Sequence, residues 1–447
     1  MSLSIINLIA VLALAFMGSR AIRRITSKKS SSVDIVILAH IVLCGIPLLL
    51  DELIGLPNYT NAPGFVSASE DYATCVVYCI YAVWAAYLWQ KCGRIRFPSV
   101  AHNGKDDGML RHAGMLWHIP PYAKMLLFAV MLLPLMYVMT LPDRKLDWVF
   151  SSTLRYDLSD SYMAGHYWVN RLCYLSLLAG SWLLLDSRPW KQGRWPSILS
   201  CMMIMPVLVC TIWIHGKRNS VAVMGILFLF VFYYRGLLTG RRAFGIIMAM
   251  LVGVLGFSFF FQAYTGRVTT SWYENARIDY GRDDVIKLTL FAELHPNELQ
   301  ILEYRGQSYL YYLLCWIPRD VWADKPLPYA HYMTSAMRLS PPKMWLGSMT
   351  TSWLEEAVAN LGWWGVLWGP LSIALFCRIG DMCRNGVMRL LTPLLGCLLL
   401  TTHLVAVFPL YVIWFVFALF ERPWRRRVNG CESPSKNVPV LAARTTQ

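Results

Sequence analysis

The chain has 447 residues, of which 56% are hydrophobic and only 15% charged, with a mean hydropathy of +0.44. Soluble domains carry about 25% charged residues, so an ordinary soluble globular protein is excluded. The net charge of +15 sits in short basic stretches between apolar runs, which is the positive-inside pattern of a membrane protein and not a nucleic-acid-binding face.

Apolar runs close to bilayer length recur from end to end, and a helix needs roughly 20 such residues to cross. In lipid every backbone amide must be satisfied internally, which makes each run a helix. Stretches such as 249–261 lack the alternation of a transmembrane β-barrel. The expected fold class is therefore all-α: a polytopic integral membrane protein of about 11 transmembrane helices. In chain order these are expected at 3–19, 34–50, 72–90, 123–141, 166–185, 196–214, 220–235, 243–261, 354–377, 390–406 and 408–421. The first lacks a basic n-region and a clear cleavage site, so it reads as a helix and not a signal peptide.

The loop after the first helix holds Arg20, Arg23, Arg24, Lys28 and Lys29 and is assigned to the cytoplasm, whereas 51–71 has acids and no Lys or Arg and is assigned outside. Alternation then divides the chain into helices one to eight (1–261), one large extracytoplasmic, periplasmic loop (262–353), helices nine to eleven (354–421) and a disordered cytoplasmic tail (422–447). Residues 390–420 form one apolar run interrupted by Thr401, Thr402 and Pro409. One helix or two fits that run, and the Arg-rich tail favours two. The twelve Cys are scattered, with no CxxC or Cys/His spacing, so neither a disulfide framework nor a metal site is suggested.

The large loop is rich in Tyr and Trp and balanced, with nine basic and nine acidic residues. Long ordered loops are commonly functional. Four motifs place charge on the outer side. Lys217 and Arg218 lie in HGKRNS (215–220), a tight turn between helices six and seven. They read either as headgroup snorkellers or as an anion site, since Arg offers a planar fork for phosphate oxygens. In YGRDDVIK (280–287), Asp283 and Lys287 have i, i+4 spacing while Arg282 and Asp284 point elsewhere. That pattern fits a solvated amphipathic surface helix, or a functional patch. The stretch GQSYLYYLLCWIPRDVWADKP (306–326) sets Arg319, Trp322 and Lys325 between Pro318 and Pro326. Two prolines make such a segment rigid, and the flanking aromatics suit an interface or a sugar-stacking surface. Finally, WLEEAVANLGWWG (353–365) puts Glu356 and Asn360 one turn apart on one face. A carboxylate at the mouth of a transmembrane helix is expensive unless paired or functional, although it also complements a helix N-terminus.

Together these motifs resemble the bacterial oligosaccharide repeat-unit polymerases, the O-antigen polymerase (Wzy-type) family. The resemblance runs from about 200 to 370 and is carried by Gly216-Lys217-Arg218-Asn219-Ser220, by Ile317-Pro318-Arg319 with Trp322, Lys325 and Pro326, by Glu356, Asn360 and Gly362, and by the YGRDD stretch. It implies glycosyl transfer at the outer face of the bacterial cytoplasmic (inner) membrane, in which polyprenyl-diphosphate-linked repeat units are polymerised into O-antigen, capsule or exopolysaccharide and polyprenyl diphosphate is released. It implies catalytic roles for Arg319, Glu356 and Arg218, and substrate binding by Lys217, Arg282, Lys325, Asn360 and Trp322. Glu356 is expected to be held ionised by those cations. No cofactor, metal or nucleic acid enters. The partners implied are the lipid-linked glycan, membrane lipids, and a chain-length regulator and flippase of the same pathway. Alternative readings are an O-antigen ligase, a polyprenyl-phosphate-sugar glycosyltransferase and, outside enzymes, a lipid-linked glycan flippase or transporter, which would show inverted repeats and broken midplane helices.

Overall fold

The computed structural model describes residues 3–26, 31–59, 62–93, 119–141, 160–186, 193–216, 218–234, scattered positions from 245 to 277, 281–314, 317, 321–345, 349–383 and 386–431. Every regular element among them is helical. The chain runs α1 (Leu3–Thr26), α2 (Ser32–His40), a π-helical turn (Ile41–Gly45), α3 (Ile46–Leu53), α4 (Pro63–Glu70) and α5 (Tyr72–Cys92). It continues through α6 (Pro121–Thr140), α7 (Asp160–Leu185), α8 (Arg194–His215) and α9 (Arg218–Tyr234). The last part holds α10 (Asp283–Leu294), α11 (Gln307–Leu313), α12 (Tyr329–Met337), α13 (Trp353–Leu361), α14 (Trp363–Met382), α15 (Gly386–Leu398) and α16 (Phe408–Cys431).

Six helical stretches among the described residues are long and apolar enough to cross a membrane: Leu3–Ile25, Ser32–Leu53, Tyr72–Cys92, Pro121–Thr140, Trp168–Leu185 and Trp195–His215. Their surfaces fit lipid. On α1, Ile5, Leu8, Ile9, Leu12 and Phe16 form an exposed stripe at three- and four-residue spacing, while Ala10, Leu14, Met17 and Ala21 are buried on the other side. An apolar face turned outward is unfavourable in water and neutral in hydrocarbon, where packing holds helices together. Two cores lie within the bundle. One is built by α1, α2, α5 and α14, with Trp89 and Tyr78 at its centre. The other joins α6 to α9 with α15 and α16. A third joins α4, α10, α12 and α13.

The bundle has two polar ends. Asn7 donates to Glu52 at 2.5 Å, so the start of α1 and the end of α3 meet at one. At the other, Arg24 pairs with Asp34 at 3.4 Å and donates to the Gly93 carbonyl at 2.9 Å. Ser32 donates there to Asp381 from α14.

Two expectations change and one holds. The ninth expected helix, 354–377, is two helices, α13 and α14, because Gly362 adopts φ 62° and ψ −141° and reverses the chain. Gly365 permits the fold-back, since a side chain there would collide with the Ala357 carbonyl. The run 390–421 is two helices, the division that the Arg-rich tail favours, separated by 399–407 with a 3-10 turn over Leu404–Val407. The last helix continues to Cys431, into the segment expected to be disordered. Adding a residue to an existing helix is far easier than starting one, and Arg is a good helix former. The expected helix at 243–261 falls mostly outside the described residues.

Candidate functional site

α10 and α13 begin inside the bundle. The backbone N–H of Arg282 donates to the carbonyl of Leu43 at 2.9 Å, halfway along the Ser32–Leu53 stretch. That carbonyl is available because Pro47, one turn later, has no N–H to offer it. The Trp353 N–H donates to the Leu399 carbonyl at 2.7 Å just past α15. Tyr81, mid-way along α5, donates to the Leu354 carbonyl at 3.4 Å. The residues of α10 from Asp283 to Ala292 are all buried. The solvated-surface-helix reading of 280–287 is therefore overturned: α4, α5, α12 and α13 pack against the helix.

The burial of its charges is made tolerable by pairing. Arg277 grips Asp51 of α3 through Nε and Nη2, at 2.8 and 2.7 Å. The same guanidinium donates to Asp283 at 2.5 Å and to Asp284 at 3.1 Å. Lys287 donates to Asp283 at 2.9 Å, the i, i+4 pair expected, and lies 3.5 Å from Asp51. Asp284 does not point elsewhere; it joins this cluster. Burial pushes Asp283 upward, but Arg277 and Lys287 outweigh it and hold the carboxyl below the usual range. Asp284 is pushed up to about 6 by burial and by the Asp283 charge. Gly281 is required by proximity: a Cβ there would collide with the Arg277 guanidinium and stand 2.7 Å from its carbonyl.

Against α10 packs α13, whose two glutamates take different surroundings. Glu355 closes a capping box with Ser352, binding both its N–H and its hydroxyl at the helix start. Burial raises it to about 7, opposed by the Ser352 bonds and the nearby Arg282 charge. Glu356, 1% exposed, turns toward α11. Its Oε1 accepts from Ser308 Oγ at 2.6 Å and its Oε2 from the Tyr312 hydroxyl at 2.9 Å. Asn360 completes the arrangement. Its Nδ2 donates to Ser308 Oγ and to the Glu356 carbonyl, both at 2.7 Å, and its Oδ1 accepts from the Ser308 N–H at 3.2 Å. Among the described residues no cation forms an ion pair with Glu356. Burial therefore dominates and pushes it up to about 8, against the two hydroxyl bonds. The expectation that neighbouring cations hold Glu356 ionised is thereby corrected.

Comparison with protein-family models, with curated proteins and with solved structures finds no match.

The other expected site residues are distributed as follows. Arg319 and Lys217 lie outside the described residues. Arg218 opens α9, where only its backbone is described. Lys325 is buried; its Nζ donates to the Ile317 carbonyl at 2.8 Å and sits 5.3 Å over the Tyr311 ring of α11. Trp322 is half-buried in the preceding turn. Arg282 lies between the ionic cluster and Glu355. The amide of Asn360 is fully engaged within the α11–α13 contact and does not face outward. Sequence reasoning missed Arg277, Asp51, Ser308 and Tyr312 as members of these sites. Arg277 and Asp51 share no helical spacing with their partners. Ser308 and Tyr312 are an i, i+4 pair, a spacing that was legible but hidden in an aromatic run.

Proposed function

We propose that this chain is a membrane glycosyltransferase that polymerises polyprenyl-diphosphate-linked oligosaccharide repeat units at the outer face of the bacterial cytoplasmic membrane. One observation carries the reading. The stretch 306–326 and the stretch 353–365, read as separate motifs, meet at Glu356, where Ser308 and Tyr312 from the first bind the carboxyl of the second. The third motif, 280–287, adjoins them through Arg282.

In the proposed reaction the acceptor sugar oxygen forms a bond to the donor's anomeric carbon, and the bond from that carbon to the diphosphate oxygen breaks. The acceptor proton passes to the ionised Glu356 carboxyl, which still has lone pairs free for a third donor. Polyprenyl diphosphate departs as an anion, and cations at the site stabilise the charge that develops. Arg319, Lys325, Arg282 and Arg218 with Lys217 are the candidates for that clamp. The carboxyl is closed to solvent here, so the reading requires the α11 side of the pocket to open for the acceptor.

The test is chromatography of the lipid-linked sugars that accumulate in a strain deleted for this chain. The reading expects single repeat units on lipid. Polymer on lipid would overturn it in favour of a ligase, and unchanged lipid-linked glycan would overturn both.

A further inference from the structure

Among the described residues Glu356 is held by neutral groups alone, and their hydrogen-bond directions can be worked out. Asn360 Oδ1 accepts from a backbone N–H and its Nδ2 donates to a backbone carbonyl, so the amide can stand only one way round. Its Nδ2 also donates to Ser308 Oγ at 2.7 Å. The Ser308 proton is then free to point at Glu356 Oε1, 2.6 Å away. Tyr312 adds a second donor to the other oxygen at 2.9 Å. Asn360 lies one helical turn after Glu356, and Tyr312 lies one turn after Ser308, so two short helices present two facing pairs.

We propose that Ser308 and Tyr312 are positioning residues that fix the Glu356 carboxyl and favour its ionised form, with Asn360 setting the direction of the Ser308 hydroxyl. The inference deepens the polymerase reading and takes the working role of Glu356 from it. Without these donors a carboxyl this deeply buried would hold its proton more tightly still. Among the described residues, the titratable or charged groups facing Glu356 are Glu355 on its own helix, Tyr309 and Tyr312 on α11, and Tyr329 on α12. Arg305, which bridges to Glu293 at 2.6 Å, closes the far end of α13. Of these groups Tyr312 is bonded directly to the carboxyl, alongside the Ser308 hydroxyl.

The experiment is an infrared titration of the full-length protein in lipid nanodiscs, following the protonated-carboxyl band that Glu356→Gln removes. Ser308→Ala and Tyr312→Phe should each tighten proton binding about tenfold, moving the midpoint up by about one pH unit, because a bond donated to a charged group is lost. Ser308→Thr keeps the hydroxyl and should restore the midpoint. Asn360→Ala should move it in the same direction by less. Midpoints unmoved, or lowered, in both Ser308→Ala and Tyr312→Phe with wild-type helicity would overturn the proposal. The readout needs no transferase activity. Shifted midpoints in a chain that fails the lipid-linked sugar test would keep the positioning role and remove only the polymerase. Unmoved midpoints in a chain that passes would do the reverse.

Discussion

The Asp51–Arg277–Asp283 cluster, which ties the start of α10 to α3, and the Glu356 pocket on the neighbouring α13 are both buried, yet they are held by opposite means. In the first, two cations share three carboxyls, and Asp283 is driven toward its charged form. In the second, hydroxyls and an amide surround one carboxyl, and burial pushes it up to about 8. Burial acts on both carboxyls in the same direction; the sign of the neighbours decides the result. Asp283, paired with two cations, is held in its charged form and serves in a clamp, here fastening α10 to α3. A carboxyl held by neutral donors near neutral pH can exchange a proton, which is what acid–base chemistry needs.

The contrast can be broken from either side. The largest expected effect is on chemistry. Glu356→Gln keeps the shape of the side chain, so the protein should fold and migrate as wild type, while repeat-unit polymerisation falls about 10²–10⁴-fold, the usual contribution of a general base. Polymer of normal length at wild-type protein levels would remove Glu356 from the reaction. On the cluster side, Arg277→Ala leaves buried carboxylates without their shared cation. Breaking such a pair costs about 3–5 kcal/mol. Thermal unfolding in detergent or nanodiscs should show a large drop, and an unchanged midpoint would mean that the cluster is no clamp.

Gly281→Ala is a milder probe of the same clamp. The added methyl displaces the Arg277 guanidinium, and overpacking of this kind costs about 1–3 kcal/mol. Its effect should shrink in an Arg277→Ala background, where the guanidinium clash is gone and the close approach to the residue 277 carbonyl remains; full additivity in the double mutant would refute the guanidinium contact.

The smallest expected effect is the pH dependence of the pocket. With Glu356 at about 8, the base form rises with pH, so the rate should increase about tenfold between pH about 7 and about 9. Stability should run the other way. The folded carboxyl binds its proton more tightly than the unfolded one, so its contribution is present below the unfolded value of 4.5 and is lost as pH rises through about 8. The wild-type melting temperature should fall across that window, and the part due to this group should be absent in Glu356→Gln. A flat rate profile from neutral to alkaline pH would argue that Glu356 does not gate the reaction.

Much of the bundle was legible from apolar run length, and several ends agree to within a few residues: α5 was expected at 72–90 and spans Tyr72–Cys92. The errors cluster where the chain turns inside the apolar region. Gly362, singled out as part of a motif, was still placed inside one continuous helix, because nothing local announces a positive φ in an apolar run. The 280–287 pattern, with charges at i, i+4, is what a surface helix shows; only packing against α4, α5, α12 and α13 buries it. Glu356 and Asn360 were correctly placed on one face, since helical geometry sets that. Their partners were not identified, since Ser308 arrives from 48 residues away.

The sequence by itself determined the class of this protein and the course of its long helices, because a membrane demands that each backbone satisfy its own hydrogen bonds, and that demand is met locally within each segment. Only the tertiary structure decided which carboxyl is paired with cations and which with hydroxyls. Arg277 meets Asp51 across 226 residues of chain, and α11 meets α13 through packing that no local spacing encodes. Protonation inside a protein follows from those neighbours, so the chemistry of Asp283 and Glu356 became readable only once the helices were in contact.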